Sequence, residues 1–387
     1  MLIGILGGTF NPIHNAHLEL ARQVKKEFCL DKVLLMVAAD PPHKTVKGGV
    51  CALLRLKMTE AAASNENGIE ASGLELMRGG KSYTADTLMQ LKGFYPEAGF
   101  FLIVGGDMLK DFPSWRESSG IAEMAHIIGV PRKGMPEDIF EQAKIARMKT
   151  GARISVSKAR CPEISSTLVR ERVFHAKPVS ELVAQSVQSI IYETGVYFPE
   201  NIRLIQEKLK DVLNKKRYRH TMNTVLTAVE LADRYGIDPE KARLAALLHD
   251  CAKTGEPPLE LAERLGVEPD DWERAVPDIL HARLGAVIAR EEYGVNDADT
   301  LQAIAAHTTG GTGMSDLDKV IYLSDMIEPG RDFPGVDEIR DESWRGLNRA
   351  VVLGMERSLN YCGKLGKRVH PATLEAKNEI QYQEEWT

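Results

Sequence analysis

The fold of the first half of the chain is decided by the stretch Gly7-Gly8-Thr9-Phe10-Asn11-Pro12-Ile13-His14-Asn15-Ala16-His17-Leu18. It follows an apolar run over residues 1–6 and precedes an amphipathic stretch over residues 18–28, so it predicts a turn between a buried strand and a helix. Glycines let main-chain N–H groups approach a ligand, and a helix N-terminus carries partial positive charge. The spacing places His14 and His17 on one face of the first helical turn. The stretch therefore predicts a site for an anion such as a nucleotide phosphate.

The composition indicates a globular protein with two or three domains. The chain has 387 residues, of which 43% are hydrophobic and 27% charged, and this length suffices for more than one core. The net charge of −6 argues against a nucleic-acid-binding surface spread over the molecule. No basic leader and no long apolar run occur, so we expect a cytoplasmic protein without a membrane partner. The cysteines include no C-x-x-C pair, which is typical of free thiols.

Strand-like apolar runs alternate with helical stretches up to about residue 198. The runs cover residues 33–38, 100–104, 127–130 and 153–156. This alternation is typical of a parallel sheet covered by helices on both faces. We therefore predict an α/β first domain, a doubly wound, Rossmann-like parallel sheet over residues 1–198, whose ligands bind beyond the carboxyl ends of the strands.

The opening stretch resembles the signature of the HxGH nucleotidyltransferase superfamily, in which a nucleoside triphosphate lies over this turn. The superfamily usually has glycine before the second histidine, whereas this chain has Ala16, and we expect weakened or slightly displaced adenine packing with activity retained. The resemblance implies that His14 and His17 hold the triphosphate. It also implies nucleotide contacts from the preceding turn residues Gly7, Gly8, Thr9 and Phe10.

A second stretch, Ile164-Ser165-Ser166-Thr167-Leu168-Val169-Arg170, resembles the second signature of the same superfamily, I-S-S-T-x-x-R. Ser165 or Ser166 can cap a helix whose N-terminus faces an anion. Arg170 can form a forked contact with phosphate oxygens. The two signatures together predict one triphosphate site built from both ends of the first domain.

The stretch Ser82-Tyr83-Thr84-Ala85-Asp86-Thr87 resembles the mononucleotide-binding segment of bacterial nicotinate mononucleotide adenylyltransferases. In that family hydroxyls and main-chain N–H groups hold the pyridine carboxylate, which implies roles for Ser82, Tyr83, Thr84 and Thr87. The preceding Gly-Lys-Ser is not a P-loop, because a Walker A motif needs glycine where Glu75 stands.

Further candidate ligands follow the predicted strands. Lys44 lies in a polar turn that can bring it over the phosphates, and the indole of Trp115 can stack on a pyridine ring. The carboxylate of Asp107 can accept hydrogen bonds from a ribose or help to order magnesium. The remaining residues assigned to substrate are Gly105 and Arg132.

The resemblance implies transfer of AMP from ATP to nicotinate mononucleotide, with Mg²⁺ and without a protein nucleophile. Such phosphoryl transfer depends on positioning and charge stabilisation. The residues predicted to be catalytic in this domain are His14, His17, Lys44 and Arg170.

After a strand-like run at residues 196–198, the pattern becomes helical, so we predict an all-α second domain over residues 199–387. A basic run opens a helix from residue 215 to residue 235, which Gly236 ends. Candidate metal ligands stand in or at the ends of apolar helical stretches: His220, His249, Asp250, His281, His307 and Asp325. A buried carboxylate such as Asp250 costs several kcal/mol unless a cation compensates it. The adjacent His249 and Asp250 therefore call for a metal or another compensating partner.

The order of these ligands, H…HD…D, resembles the HD phosphohydrolase superfamily, and the added His281 and His307 resemble its two-metal subgroup. The runs at residues 307–310 and 325–331 resemble the bacterial HD-type symmetrical diadenosine tetraphosphate hydrolases, in which the two metals are iron. Ligand chemistry alone suits iron, manganese or zinc. Lys253, assigned as catalytic, and Arg331, assigned to substrate, are candidates for contacts with the polyphosphate oxygens.

The sequence thus predicts a bifunctional enzyme whose second site cleaves diadenosine tetraphosphate into two ADP. Two alternatives stay open for the second domain. It could hydrolyse another nucleotide, as a nucleotidase or a (p)ppGpp hydrolase does, or it could bind an alarmone without turnover and regulate the adenylyltransferase. The sequence also leaves a homo-oligomer open.

Overall fold

The computed structural model describes residues 1–40, 49–131 and 138–385. The chain divides into two compact units. One unit comprises Met1–Glu171 and Val179–Ile190, and the other comprises Arg172–Pro178 and Ile191–Thr387. Within the described residues, none of the helices is both long enough and apolar enough to cross a bilayer.

The first unit is built on a six-stranded parallel sheet with the order β3-β2-β1-β4-β5-β6. Every strand pair is parallel, and Ile5 of the central strand lies between Leu34 and Leu102 of its neighbours. The strands are β1 (Leu2–Gly8), β2 (Lys32–Val37), β3 (Ile69–Ser72), β4 (Gly99–Gly105), β5 (Ala125–Val130) and β6 (Ile154–Val156). The predicted doubly wound α/β fold is confirmed.

Helices cover this sheet. The helix after the signature turn begins at Asn15, and its buried side chains recur at helical spacing at Ala16, Leu18, Ala21 and Val24. The helices in the first half of the chain are α1 (Asn15–Glu27), α2 (Ala52–Ala63), α3 (Leu74–Arg78), α4 (Thr84–Phe94), α5 (Gly106–Asp111), α6 (Ser118–Met124), α7 (Asp138–Thr150), α8 (Ser166–Phe174) and α9 (Gln185–Thr194). A 3₁₀ turn, Phe112–Ser114, follows α5.

The strand order reverses between β1 and β4, which lie side by side in the middle of the sheet. In an open parallel sheet, this reversal opens a crevice at the carboxyl ends of the strands, and ligands bind there. The loops that leave β1 and β4 carry the signature turn and the Gly105–Asp107 region. The fold therefore brings the predicted phosphate turn and the Asp107 loop to the same edge.

The second unit is helical after residue 200, which confirms the predicted all-α architecture. Its helices are α10 (Glu200–Val212), α11 (Lys215–Tyr235), α12 (Pro239–Leu248), α13 (Pro258–Arg264), α14 (Asp271–Ala275), α15 (His281–Glu291), α16 (Ala298–Ala306), α17 (Asp316–Ile327), α18 (Val336–Ser343), α19 (Leu347–Lys364) and α20 (Pro371–Glu385). A 3₁₀ turn, Pro277–Leu280, precedes α15. Helix α11 ends at Gly236 in the left-handed region (φ 67°), as predicted.

The strand predicted at residues 196–198 is wrong, because these residues form a turn. Gly195 and Tyr197 both adopt positive φ, 66° and 74°. The N–H of Phe198 donates to the carbonyl of Gly195 at 3.0 Å, which closes the turn. The apolar side chain of Phe198 is buried edge-on against Tyr192, so its hydrophobicity reflects packing of a turn rather than an extended strand.

Four helices of the second unit, α11, α12, α16 and α17, pack against one another. Their facing sides are fully buried and carry small or branched apolar residues, among them Val225, Ala246, Ile304 and Val320. Helix α12 ends immediately before His249, and α16 ends immediately before His307. The close packing of these helices therefore brings polar residues from distant parts of the sequence into one buried cluster.

Candidate nucleotide site and candidate metal centre

The signature turn has an open space above the end of β1. Among the described residues, a Cβ added at Gly7 would meet no atom within 4 Å, whereas a Cβ at Gly8 would lie 2.8 Å from the ring of Phe10. Phe10 folds back over the strand end with a positive φ of 46°. Glycine at position 8 is therefore required by the close approach of Phe10, and the space above Gly7 can receive a ligand.

The two histidines of the turn stack on each other. Their ring centroids are 3.7 Å apart, and the edge of Phe10 packs against His17 at 5.0 Å. The main-chain N–H of His14 donates to Nδ1 of His17 at 3.2 Å. Because Nδ1 of His17 accepts this bond, the ring proton is on Nε2, which can donate to a phosphate oxygen.

Both histidines are neutral at pH 7. Burial lowers the pKa of His14 to about 4. Burial, together with the nearby His14, also lowers the pKa of His17 well below its usual value. Nδ1 of His14 is buried and has no hydrogen-bond partner among the described residues. A buried polar atom beside an open space calls for a partner, and a bound nucleotide can supply one.

Helix α8 is bonded directly to the signature turn. The hydroxyl of Ser166 donates to the carbonyl of Pro12 at 2.8 Å, and Nη1 of Arg170 donates to the carbonyl of Asn11 at 2.7 Å. The hydroxyl of Ser165 accepts from the N–H of Leu168 at 3.1 Å, so Ser165 caps the helix. The structure thus brings the two predicted signatures together.

Arg55 is a buried arginine that the sequence interpretation did not identify. It is 1% exposed, and it donates from Nη1 to the carbonyl of Thr9 at 2.6 Å and from Nη2 to the carbonyl of Ala39 at 3.2 Å. It therefore joins the loop after β1 to the loop after β2. A signal was present in the sequence, because Arg55 has helical spacing with the buried Met58 and Ala62 of α2.

The segment over residues 82–87 lies beside the end of β2. The hydroxyl of Ser82 accepts from the N–H of Ala39 at 3.0 Å. The hydroxyl of Thr87 is buried, donates to Glu75 at 2.7 Å and accepts from Arg78 at 3.1 Å. The hydroxyl of Thr87 is therefore hydrogen-bonded within the protein, and these bonds hold the segment in place.

The other predicted mononucleotide ligands surround this segment. Thr84 is the first residue of α4. The guanidinium of Arg116 lies 4.7 Å above the ring of Tyr83, so the loop of Trp115 adjoins the segment. Trp115 is half-buried and packs edge-on against Phe112 at 5.6 Å.

Gly105 ends β4, and Asp107 is exposed in the first turn of α5. Two further predicted ligands, Lys44 and Arg132, lie outside the described residues.

In the second unit, Asp250 lies at the centre of a histidine cluster and is 1% exposed. Its Oδ2 is 3.4 Å from Nε2 of His249 and 3.7 Å from Nε2 of His220. Its Oδ1 is 3.4 Å from Nε2 of His281 and 3.7 Å from Nε2 of His307. Each oxygen of one carboxylate therefore faces its own pair of imidazoles.

A second carboxylate, Asp325, completes one side of the cluster. Its Oδ1 lies 2.9 Å from Nε2 of His220 and 3.9 Å from Nε2 of His249. Two groups of three residues have ligand atoms within 4.8 Å of one another, namely His220 with His249 and Asp325, and His249 with Asp250 and His307. The structure therefore brings together all six predicted metal ligands.

The hydrogen bonds of the imidazoles make their Nε2 atoms available as ligands. Nδ1 donates to the main-chain carbonyl three residues earlier in His249, His281 and His307, which bond to Ala246, Asp278 and Ile304. A ring with its proton on Nδ1 has a lone pair on Nε2. The Nε2 atoms of His281 and His307 are 3.1 Å apart, and a cation relieves the repulsion between lone pairs at this distance. The residues present therefore fit divalent metal ions.

The charge states of four of these ligands, His249, His281, Asp250 and Asp325, agree with this fit. Burial lowers the pKa of His249 and lowers the pKa of His281 to about 3, so these rings are neutral. Burial raises the pKa of Asp250, but His249 and Lys253 beside it outweigh burial, and the pKa lies well below its usual range. Burial also raises the pKa of Asp325, but the close contact with His220 and the nearby Arg331 outweigh burial, and the pKa is lowered. Neutral imidazole and ionised carboxylate are the forms that bind metals.

Three cations contact the carboxylates of the cluster. Lys253 lies 2.9 Å from Oδ1 of Asp250, Arg217 donates to its Oδ2 at 2.6 Å, and Arg331 donates to Asp325. Lys253 and Arg331 were predicted site residues. Arg217 was not singled out, although it belongs to the basic run that opens α11.

Two further polar groups were also missed. The hydroxyl of Thr308 lies 3.0 Å from Nε2 of His281 and 3.1 Å from Nε2 of His307. The carboxylate of Glu328 lies 3.1 Å from Nδ1 of His220. Both residues lie within the runs that carry the family resemblance, which is a signal that could have identified them.

The fold and the two sites define a nucleotidyltransferase joined to an HD hydrolase. Residues 5–172 match the cytidylyltransferase-like family, and residues 217–330 match the HD domain family. The chain belongs to the nicotinate-nucleotide adenylyltransferase family in its first half and to the HD family of symmetrical bis(5′-nucleosyl)-tetraphosphatases in its second half.

Several relatives document this membership. A probable nicotinate-nucleotide adenylyltransferase of Desulfitobacterium hafniense is 35% identical over 196 residues, which cover 50% of this chain and 95% of the relative. A symmetrical bis(5′-nucleosyl)-tetraphosphatase of Halalkalibacterium halodurans is 39% identical over 175 residues, which cover 44% of this chain and 92% of the relative.

A crystal structure described as a predicted HD superfamily hydrolase involved in NAD metabolism, from Clostridium acetobutylicum, is 40% identical. It covers 46% of this chain and 96% of its own, with a TM-score of 0.45. Both family resemblances predicted from the sequence are confirmed by the family matches and relatives.

Proposed function

We propose that the chain is bifunctional. Residues 1–198 transfer AMP from ATP to nicotinate mononucleotide, giving nicotinate adenine dinucleotide and pyrophosphate. Residues 199–387 hydrolyse diadenosine tetraphosphate symmetrically to two ADP. The names of the relatives support the substrates, and the arrangement of the side chains in each unit supports the chemistry.

At the first site, the side chains position the triphosphate. Neutral His17 donates from Nε2, and the guanidinium of Arg170 has more N–H donors than its two hydrogen bonds within the described residues use. Ser166 holds the turn, Lys44 adds positive charge, and Mg²⁺, when bound, would neutralise further charge on the triphosphate. The substrate phosphate then attacks the α-phosphorus in line, because two oriented reactants need no protein nucleophile.

Residues around the crevice hold the mononucleotide. Trp115 stacks on the pyridine ring, and Ser82, Tyr83 and Thr84 hold its carboxylate, while Thr87 keeps their segment in place. Asp107 accepts from a ribose, and Arg132 contributes charge. The main-chain groups of Gly7, Gly8, Thr9, Phe10 and Gly105 line the space over the strand ends.

At the second site, the six ligands would hold two iron ions, with manganese or zinc as chemical alternatives. Bound metals lower the pKa of water and clamp a phosphate, which gives metal-assisted hydrolysis. Lys253 and Arg331 lie against the carboxylates of the cluster and orient the polyphosphate beside it. The observation that carries this proposal is the central Asp250, whose two oxygens each face a separate histidine pair.

Product analysis of the full-length chain tests the second activity. The protein is incubated anaerobically with Fe²⁺ and diadenosine tetraphosphate, and the nucleotides are separated. ADP as the sole product is the expected result. If the products are AMP and ATP, or if no cleavage occurs, symmetrical hydrolysis of diadenosine tetraphosphate is ruled out. Adding the dinucleotide to the adenylyltransferase assay distinguishes a sensor, since a changed transfer rate without ADP release would favour regulation over hydrolysis.

A further inference from the structure

Glu328 is a buried carboxylate beside the metal centre, and none of the predicted roles includes it. It is 3% exposed and lies directly after helix α17. Its Oε1 is 3.1 Å from Nδ1 of His220. Its Oε2 accepts from the side-chain amide of Asn223 at 2.7 Å and from the N–H of Gly330 at 2.5 Å. Burial of an ionised carboxylate is costly, and three such contacts compensate it.

The partners of Glu328 decide where His220 carries its proton. Asn223 and Gly330 are donors, so Glu328 binds them as an ionised acceptor. An ionised Glu328 requires a proton on Nδ1 of His220. Nε2 of His220 is then left facing Asp325 and His249.

His220 needs this carboxylate because of its position in the fold. The other three imidazoles follow the end of α12 or α16, or begin α15, and each donates from Nδ1 to a main-chain carbonyl three residues earlier. His220 lies inside α11, where main-chain carbonyls already accept helical bonds. A side-chain acceptor from outside α11 therefore has to set its ring orientation.

We propose that Glu328 is a positioning residue that holds His220 with its proton on Nδ1, so that Nε2 binds one of two divalent metal ions. That ion is the one held by His220, His249 and Asp325. The proposal rests on the metal centre proposed above and is independent of the nucleotide substrate. Carboxylates that orient metal-binding histidines typically alter metal affinity about 10–100-fold when removed.

Glutamine at this position makes a sharp test. If its oxygen takes the place of Oε2, it still accepts from Asn223 and Gly330, but its amide then donates to Nδ1 of His220. Nδ1 becomes an acceptor, the proton moves to Nε2, and Nε2 can no longer bind a metal. If the amide is reversed, its nitrogen faces two other donors, Asn223 and the N–H of Gly330, at the 2.7 Å and 2.5 Å distances of the native contacts. Neither orientation reproduces the native arrangement.

The experiment measures manganese binding to the full chain, the Glu328→Gln variant and the Asn223→Ala control. Asn223→Ala removes one donor to the same carboxylate and leaves its bond to His220. We expect Glu328→Gln to weaken one of two Mn²⁺ equivalents about 10–100-fold, whereas the control keeps both, because the N–H of Gly330 still donates to Oε2 of Glu328. The electron paramagnetic resonance spectrum should change from a coupled pair to an isolated ion. Glu328→Asp should restore part of the lost affinity, because it keeps the carboxylate.

Adenylyl transfer by the same preparations shows that the chain has folded. Two Mn²⁺ equivalents bound equally tightly by the native chain and Glu328→Gln would overturn the proposal. A native chain that binds no manganese would refute the metal centre and this role together. A native chain that binds two ions and cleaves no dinucleotide would refute the substrate alone, and the comparison of variants would still decide the role of Glu328.

Discussion

Arg170 donates a hydrogen bond to the main-chain carbonyl of Asn11 at 2.7 Å, although 159 positions separate the two residues in the sequence. The bond joins the first turns of α8 to the loop between β1 and α1. A change in Arg170 therefore affects the turn that receives the triphosphate as well as the charge near it. This relationship gives Arg170 two roles, one in charge neutralisation and one in holding the turn.

Arg170→Lys should raise the KM for ATP by about tenfold or more, the effect of losing a hydrogen bond to a charged group. Lysine keeps the charge but lacks the planar fork that contacts Asn11 and Thr167 together. Steady-state pyrophosphate release measures the effect. Arg172→Lys is the matched control on the same helix, because the described hydrogen bond of Arg172 goes to the carbonyl of Pro178, at 2.9 Å. An unchanged KM for ATP in Arg170→Lys would show that Arg170 neither neutralises the triphosphate nor holds the turn in the way proposed.

His17→Ala should reduce kcat by about 10²–10³, the effect typical of removing a donor to developing charge. The KM for nicotinate mononucleotide should change far less, because the stacked pair of His17 and His14 lies in the triphosphate turn. Initial rates at varied mononucleotide separate the two constants. His175→Ala, at an exposed histidine, should leave both constants unchanged. Equal losses in kcat and in mononucleotide affinity for His17→Ala would argue against a role in the transition state.

The local parts of both sites could be predicted from the sequence. Each predicted site residue of this kind lies in or next to an apolar helix or strand, and the spacing of its hydrophobic residues reveals where that element is. This holds for the signature turn, the Ser165 cap and the six metal ligands. Arg55 and Glu328 were missed because their roles depend on partners far away in the sequence, as with Glu328 and His220, 108 positions apart. A strand was wrongly predicted at residues 196–198 because apolar residues can also be buried in a turn. Strand β3 was not predicted from the sequence, because only one of its four residues is buried and the apolar pattern is weak.

Acid should weaken the first unit through its buried histidines. The pKa of His14 falls from 6.5 to about 4 on folding, so the unfolded chain binds more protons between these values. The free energy of unfolding therefore decreases as the pH falls below 6.5, and the loss from His14 is complete near pH 4. At pH 5 it amounts to about 2 kcal/mol. The lowered pKa of His17 acts in the same direction.

Hydrogen exchange of the β1 amides at pH 7 and pH 5 measures this loss, since it reports the opening of the unit. His14→Asn is the comparison, because asparagine can cap a helix and does not titrate. The variant should lose less stability between the two pH values than the native chain. Parallel pH dependences would show that His14 does not carry the effect.

Arg55→Met should destabilise the first unit and also weaken ATP binding. Methionine fills part of the buried volume but leaves the carbonyls of Thr9 and Ala39 without these donors, at a cost of about 1–3 kcal/mol for each buried group. Denaturant unfolding and the KM for ATP measure the two effects. Arg22→Met is a control, since Arg22 forms exposed ion pairs with Glu19 and Glu66, which contribute little. Native stability in Arg55→Met would show that the two loops need no such link.

Asp250→Asn should abolish hydrolysis and deplete bound metal while adenylyl transfer continues. The amide carries no charge, and its nitrogen would face either Lys253 or Arg217, which are themselves donors at 2.9 Å and 2.6 Å. One of the two imidazole pairs would also lose the oxygen that faces it. Metal analysis and nucleotide separation on one preparation measure both losses, and the transferase activity of the same chain reports folding. Asp233→Asn is the matched control, because Asp233 forms an exposed ion pair with Lys177. Retained metal and hydrolysis in Asp250→Asn would contradict the proposed role of this carboxylate in holding the metal ions.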